Sequence, residues 1–381
     1  IPARLRKLPE VRALGIALFL AITLLAVSLP AILSSARLDQ VSVGLVFGLA
    51  ALSLVVLSGW AGTVSLGQFA LVGVGAIVGG DLMMHLDLDL FLSVAIAGAA
   101  GAVAAVILGL PALRVRGLYL AVTTLAFAVA SNDFFFNPTN FAGQLPSSVL
   151  RPILWKRFDL SREGDLYLLC LGVLVMAIVL VRGIRRARPG RVILATRDNT
   201  RAAEAAAVPT TRTRLTAFMI SGVIAGVAGA LYVVILGSAG FETFPPSDSI
   251  TVFSMAIVGG LSSIGGALAG VGLIQWLGIA FPKLQILLTG VGMLVVLTLF
   301  PAGLAGVYER ARDRLLVLIA RRRGLDTSAW AEAGTDDADE APAAGTPVVP
   351  GRPATADDRQ ADTRPVLLRC SGVNSSYGKL Q

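Results

Sequence analysis

The chain has 381 residues, 55% of them hydrophobic and only 15% charged, whereas soluble domains carry about 25% charged residues; with a mean hydropathy of +0.77, an ordinary water-soluble globule is excluded. Its net charge of +8 comes mainly from arginines clustered between long apolar runs, a pattern of membrane topology rather than of a folded basic face for nucleic acid. Two cysteines (Cys170 and Cys370) and one histidine (His85) leave no disulfide framework, no HExxH protease motif and no His-rich metal site.

A helix crosses about 30 Å of hydrocarbon with about 20 apolar residues. In chain order, the runs that qualify or nearly do are Leu14–Leu33, Val41–Ser58, Gln68–Met84, Leu90–Leu110, Leu118–Phe136, Leu166–Val181 and Leu215–Leu236. The first is too long for a signal-peptide core, and a start at Ile1 rather than Met reads as a piece of a longer protein. Nine arginines between Arg182 and Arg214 mark that segment as cytoplasmic, together with Arg114, Arg116 and the basic residues Arg4 to Arg12. Residues 237–250 then lie outside and the basic end from Arg310 to Arg323 inside, which demands an odd number of crossings between them. Thr251–Ser263, Gly265–Phe281 and Leu284–Phe300 satisfy that demand. The first of these covers only ~20 Å as a straight helix and reads as a half-helix buried in protein. The loop of residues 137–164, with Arg151, Lys156, Arg157 and Arg162, runs against this topology because it falls outside.

Several segments carry more than apolar length. Gly59–Ala76 (GWAGTVSLGQFALVGVGA) places glycines, Ser65 and Gln68 at membrane depth. That composition fits either a close helix contact or non-helical backbone against protein or a water-filled path. GxxxG pairs at Gly44/Gly48, Gly75/Gly79, Gly222/Gly226 and Gly266/Gly270 are no more than this glycine content supplies by chance. Ser65, Gln68, Thr123 and Thr124 are the polar candidates for lining a solute path, against the alternative that the threonines bond back to their own helix carbonyls. Asn132 and Asp133 sit at the external end of the fifth span. Arg197, Asp198, Arg201 and Glu204, with the alanines 202–207, read as a short charged surface helix, either solvated or docked on a partner. After Arg323 the chain is rich in Ala, Pro, Thr and Asp and reads as a flexible cytoplasmic linker, ending in a strand-like run, Pro365–Val373.

Gly59–Ala76 resembles the signature of the permease family of branched-chain amino acid ABC importers, a GxxGxxSLGxAxFxGxGA pattern. Leu113–Ala128 (LRVRGLYLAVTTLAFA), Gly190–Tyr232, Ser254–Gly270 (SMAIVGGLSSIGGALAG) and Leu297–Val307 (LTLFPAGLAGV) resemble further parts of that family in the right order. The resemblance implies that Arg197, Asp198, Arg201 and Glu204 belong to a coupling helix seated on an ATP-binding subunit. It also implies a second permease subunit, identical or homologous, and an extracytoplasmic solute-binding protein. The chain departs from the family at Ala206-Ala207, where Leu-Gly is usual, and at Asn140–Ser147 (NFAGQLPS), where TGGxxGL is usual; the second departure leaves the solute open. The terminal PVLLRCSGVNSSYGKLQ resembles the opening strand of an ABC ATPase, with Tyr377 at the position that stacks on adenine. GxxxxGK[ST] does not occur in residues 1–381, so the chain as given is not expected to be an enzyme. ATP-Mg would be used by an associated or fused domain, and no cofactor is expected in this chain.

The sequence therefore predicts an all-α polytopic membrane protein of about ten transmembrane or half-spanning helices in a bacterial cytoplasmic membrane. Its organisation reads as a permease domain (1–310), a basic end and flexible cytoplasmic linker (311–364) and the start of a truncated α/β ABC ATPase domain (365–381). The expected activity is ATP-driven alternating access for branched-chain amino acids or similar small polar solutes; urea, amides and sugars are the other solutes of related permeases. An ion-coupled secondary transporter usually carries carboxylates at the membrane midplane, and these are nearly missing here. An intramembrane enzyme would need a nucleophile–base pair or a metal site, and the sequence supplies neither.

Overall fold

The computed structural model describes residues 23–310 apart from 87, 115–116, 138, 141–145, 147, 150–152, 155–157, 160–161, 282–289, 291–297, 299–302 and 308–309. The linker, the ATPase-like terminus with Tyr377, and most of the first and last spans lie outside the described residues. Two compact units divide the chain, residues 1–320 and 321–381, and everything described belongs to the first.

The elements are α1 (Thr23–Ile32), α2 (Ser35–Leu54, running on as a π-helix over Val55–Trp60), α3 (Gln68–His85), α4 (Leu90–Ala112) and α5 (Leu118–Ala130, running on as a π-turn over Ser131–Phe135). They continue with α6 (Glu163–Arg186), α7 (Arg188–Asp198), α8 (Thr200–Ala205), α9 (Thr210–Leu236), α10 (Pro246–Gly259) and α11 (Ile264–Ala280). A two-residue antiparallel pairing, Ile153–Leu154 (β1) with Phe158–Asp159 (β2), departs from the all-α expectation.

Among the described residues five helices are long and apolar enough to cross a membrane: 35–60, 68–85, 90–111, 163–186 and 210–236. The pair α10 and α11, bent by 120° at its break, is either a sixth, broken span or a re-entrant loop. The expected half-helix before residue 263 is thus a short helix folded back on its successor. Its start is Pro246 rather than Thr251, because Pro is pre-set for the first helical position and lacks only an N–H that would have no helical partner there. The fifth apolar run of the sequence, Leu118–Phe136, forms a shorter helix of 13 α-helical residues and a 5-residue π-turn.

The core forms around α2, whose residues from Val46 to Trp60 are all buried. A helix apolar on every side needs protein or lipid on every side, and here protein supplies it. α6 lies parallel to α2: Tyr167 near its start donates to Ala26 O of α1 (2.9 Å), and Arg185 near its end lies 5.7 Å over the Trp60 ring. On the outer faces the apolar side chains are bare, with Val103 60%, Ile107 63% and Val179 62% exposed, as a lipid-facing surface requires.

α3, α4 and α9 approach backbone to backbone. A Cβ on Gly226 would collide with Ala97 O, one on Gly101 with Gly222 O, and one on Gly229 with Val72 O. Lipid gives helices no hydrophobic drive to associate, so close van der Waals packing over small residues has to supply it. Three of the GxxxG pairs sit at such approaches: Gly75/Gly79 on Gly226 and Ala230, Gly222/Gly226 on Gly101 and Ala97, and Gly266/Gly270 on Gly259 and Met255. Gly44 meets only an ordinary contact with Gln275.

Gly226→Val should therefore lower the unfolding stability of the detergent-solubilised protein by about 1–3 kcal/mol. Gly172→Val, at a position where a Cβ meets nothing within 4 Å, should leave it within about 0.5 kcal/mol. Equal melting curves for the two variants would show that this close approach does not hold the bundle together.

Candidate functional site: a broken crossing and its arginine contact

Between α2 and α3 the chain leaves helical geometry from Ala61 to Gly67, yet it stays inside the bundle. Each N–H and C=O there needs a partner from protein, since lipid has none to offer. Side chains and the preceding helix backbone provide several of them. Thr63 N–H and its Oγ1 both donate to Leu57 O (3.3 and 2.8 Å), and Ser58 Oγ donates to Thr63 O (3.0 Å). Leu66 N–H donates to Thr124 Oγ1 of α5 (2.9 Å), and Phe69 N–H to Ser249 Oγ of α10 (3.1 Å). Gln68 opens α3 and its Nε2 donates to Ser53 Oγ of α2 (2.7 Å) and Ser221 Oγ of α9 (2.9 Å). Ser53, Ser65, Gln68, Thr124 and Ser221 are 0% exposed. Four helices are thus tied to one turn, with the first turns of α3 and α10 meeting inside the protein.

The other end of this crossing meets the arginine-rich elements. Arg197 of α7 donates from a guanidinium nitrogen to Gly59 O, while its Cγ lies 3.1 Å from where a Cβ on Gly62 would stand. Gly62 has φ +68°, a conformation that favours glycine. A Cβ on Gly59 would collide with Leu261 O, in the turn between α10 and α11. Trp60, under Arg185, adds a cation–π contact. α7, the crossing and the α10–α11 turn therefore touch at Gly59.

α8 is a single short turn closed at both ends. Asn199 Oδ1 caps its start by accepting from Ala202 N (2.9 Å). At its end Val208 N–H donates to Ala203 O (3.0 Å) and Ala207 N–H to Glu204 O (2.9 Å), which together form a Schellman motif. That motif needs a left-handed residue, and Ala207 takes it with φ +58°. It is the position where the sequence resemblance leads one to expect glycine; the turn forms with alanine and carries the steric cost.

The sequence candidates fall into two places. Ser65, Gln68 and Thr124 join the buried knot. Thr123 does not: it lies on the exposed face of α5 with Oγ1 donating to Leu120 O (2.9 Å). Thr124 Oγ1 likewise bonds back, to Ala121 O (2.9 Å), while accepting from Leu66, so the back-bonding expected of the threonines holds for both. In the charged helix, Arg197 grips Gly59, Glu204 accepts from Thr210 Oγ1 (3.1 Å), and Asp198 and Arg201 are exposed. Ser53, Ser221, Ser249 and Gly59 were not singled out by the sequence. Asp248, read as part of an external loop, lies in the first turn of α10 and is half-buried. Among the described residues no group of three or more His, Cys, Asp or Glu is placed to hold a metal ion.

Comparison with known proteins places these features in a context. The model of the family described as branched-chain amino acid transport system / permease component matches residues 37–299. The chain is 29% identical over 270 residues to the high-affinity branched-chain amino acid transport system permease protein LivM of Salmonella typhimurium, covering 64% of this chain and 63% of that one. It is 29% identical over 269 residues to LivM of Escherichia coli, with the same coverage. It is also 26% identical over 215 residues to the probable branched-chain amino acid transport permease protein LivH of Methanocaldococcus jannaschii, covering 52% and 67%. The chain thus spans less than two thirds of the length of the LivM relatives. No solved structure matches it.

Thr124→Val should strand the buried Leu66 N–H and lower unfolding stability by about 1–3 kcal/mol, whereas Thr123→Val should change it by less than about 0.5 kcal/mol. Ala207→Gly should stabilise the protein by about 1 kcal/mol. Thermal and denaturant melting check all three; a Thr123 effect as large as that of Thr124 would contradict the assignment of the knot.

Proposed function

We propose, for a chain that belongs to the family of branched-chain amino acid transport system permease components, the role of translocation subunit in an ATP-driven importer. The solutes are branched-chain amino acids or similar small polar molecules. The multi-pass helical bundle and the relatives' names support this reading, and the observation that carries it is the grip of Arg197 on Gly59 O. It joins an exposed, arginine-flanked helix pair, α7–α8, to a turn that holds α2, α3, α5, α9 and α10 together.

In this reading α7 and α8 face the cytoplasm, as the excess of arginine there favours, and dock on an ATP-binding domain. Nucleotide binding moves the docked pair. The guanidinium passes that displacement to the Gly59 carbonyl, and through the crossing to the α10–α11 hairpin and α3. The two half-helices need not unfold, because side chains rather than ladder bonds seal their ends. Such a device supplies two packings whose relative energy partners shift. A second permease subunit covers an exposed apolar face, and a solute-binding protein delivers cargo at the opposite membrane surface. ATP and Mg are used by the ATPase partner.

The test is solute-stimulated ATP hydrolysis and leucine uptake by the assembled transporter in proteoliposomes. Wild-type uptake should require ATP inside the vesicle compartment that the ATPases face; uptake that persists with ATP depleted would reject the importer. Arg197→Ala should reduce leucine imported per ATP hydrolysed by about tenfold, the scale of one lost charge-assisted hydrogen bond. Glu204→Lys should also uncouple hydrolysis from uptake without blocking membrane insertion. Unchanged stoichiometry in both variants would remove α7–α8 from the coupling route.

A further inference from the structure

α6 and α9 both pack on α2 but scarcely on each other, and a groove of about 230 Å3 runs between them with Leu49 of α2 as its floor. Its walls are apolar, with Val173, Leu180 and Ile184 on α6 and Ile220, Val223 and Val227 on α9. From Val173 to Ile184 is ~16 Å of helix, the depth of one leaflet of a hydrocarbon core about 30 Å thick. At the arginine-rich end α7 folds back on α6 so closely that a Cβ on Gly190 would strike Ile184 O. There α7 and α9 leave a second recess of about 250 Å3, with Arg188, Thr213 and Thr216 among its walls. Thr216 and Ile220 are one turn apart on the same face of α9, so the recess continues the groove. The two threonine hydroxyls donate to Pro209 O (3.1 Å) and Arg212 O (2.9 Å). The exposed Arg188 guanidinium is thus the side-chain donor left at this end. No acidic residue lines the recess, and among the described residues no carboxylate is within ion-pair distance of Arg188.

We infer that groove and recess together hold one anionic phospholipid of the leaflet on the arginine-rich side. An acyl chain lies between α6 and α9 over Leu49, and the phosphate meets the Arg188 guanidinium, whose planar set of N–H donors matches phosphate oxygens. Apolar area binds the chain and the unpaired cation selects the head group. A helix of another subunit would need a seam through both leaflets, and these walls run no further from the arginines than Val173 and Val227. The chain's own α1 approaches α6 from elsewhere. It meets Tyr167 through Ala26 and Gly164 through Pro30, and helical spacing puts Gly164 on the face of α6 opposite Leu180 and Ile184. With its head on α7 and its tail on α6 and α9, the lipid fastens the start of the α7–α8 pair to the bundle. It does so whether or not the chain serves an importer.

The test places the photo-cross-linker p-benzoylphenylalanine in the full chain, in its native membrane, at one of two positions. Leu180 stands on the rim of the groove and is 59% exposed; Val103, 60% exposed on the outer face of α4, samples bulk lipid. The flanking Gly101 and Ala105 pack on Gly222, next to Val223 of the groove, so the two positions lie at similar depth. Mass spectrometry of the adducts should show anionic phospholipid enriched about fivefold at Leu180 over Val103, the worth of one arginine at a membrane surface. Arg188→Gln should remove the enrichment and Arg188→Lys should keep most of it. Arg182→Gln, on the opposite face of α6, should leave it unchanged, and the Val103 adducts should be the same in every variant. Equal lipid composition at Leu180 and Val103 overturns the inference. So does an equal loss in Arg188→Gln and Arg182→Gln, which would mean a diffuse attraction rather than a site. An adduct between Leu180 and a polypeptide, whether another subunit or the chain's own first span, overturns it as well.

Discussion

The structure turns on one constraint: a peptide group inside a membrane protein has to be hydrogen-bonded by the protein itself. Between α2 and α3 the backbone abandons the helix for residues 61–67, and each orphaned group left there would cost about 1–3 kcal/mol or more. Hydroxyls of Ser58, Thr63 and Thr124 meet part of that demand, while Ser249 serves the first turn of α3 and the Gln68 amide ties α3 to Ser53 and Ser221. Ser58 and Thr63 close the turn on itself. Thr124 closes it on α5, and Ser249, Ser53 and Ser221 fasten the first turn of α3 that follows it to α10, α2 and α9. A bundle that binds its own interruption in this way is stiff at that point, and the helices that leave it move with it.

Stiffness at the crossing explains why its outer contacts matter. Gly59 lies where a side chain would strike the α10–α11 turn, and its carbonyl is the acceptor for Arg197. Arg185 holds the neighbouring Trp60 ring. Two arginines, one from the end of α6 and one from α7, therefore meet successive residues at the end of α2. Elsewhere the packing is of another kind: α3, α4 and α9 press backbone on backbone over glycines. α5 is more open than that trio at its start, with Tyr119 75% exposed, and a cavity lies behind it. The molecule thus has a tightly sealed centre, a glycine-packed trio and a looser helix beside a void.

Much of this was legible in the residues. Glycine, serine and glutamine at membrane depth in Gly59–Ala76 left two readings, a close helix contact or non-helical backbone, and the structure holds both: residues 61–67 leave the helix, and Gly73 and Gly75 sit at close approaches. Short apolar length announced the half-helix that became α10, although its start moved to Pro246. The arginines between 182 and 214 marked the end where α7 and α8 lie. What stayed hidden was pairing across long separations. Ser53, Ser221 and Ser249 are single serines in apolar runs, and nothing local distinguishes a serine that bonds its own helix from one that caps another. Thr123 and Thr124 are adjacent, so they point about 100° apart on the helix. An apolar stretch on both sides gave no way to tell which faces inward. At Ala207 the departure from glycine was visible, but whether the turn would survive was settled only by the backbone angle.

The central claim is that α7–α8 and the crossing move as one body relative to the end of α4. Spin labels at Arg201, Val64 and Arg114, all exposed, test it in the assembled transporter with and without ATP. Pulsed electron–electron distance measurements should give an Arg201–Val64 distance that is the same in both states and a Val64–Arg114 distance that changes. A constant Val64–Arg114 distance with a shifting Arg201–Val64 distance would mean that the arginine contact slips, and the account would be wrong.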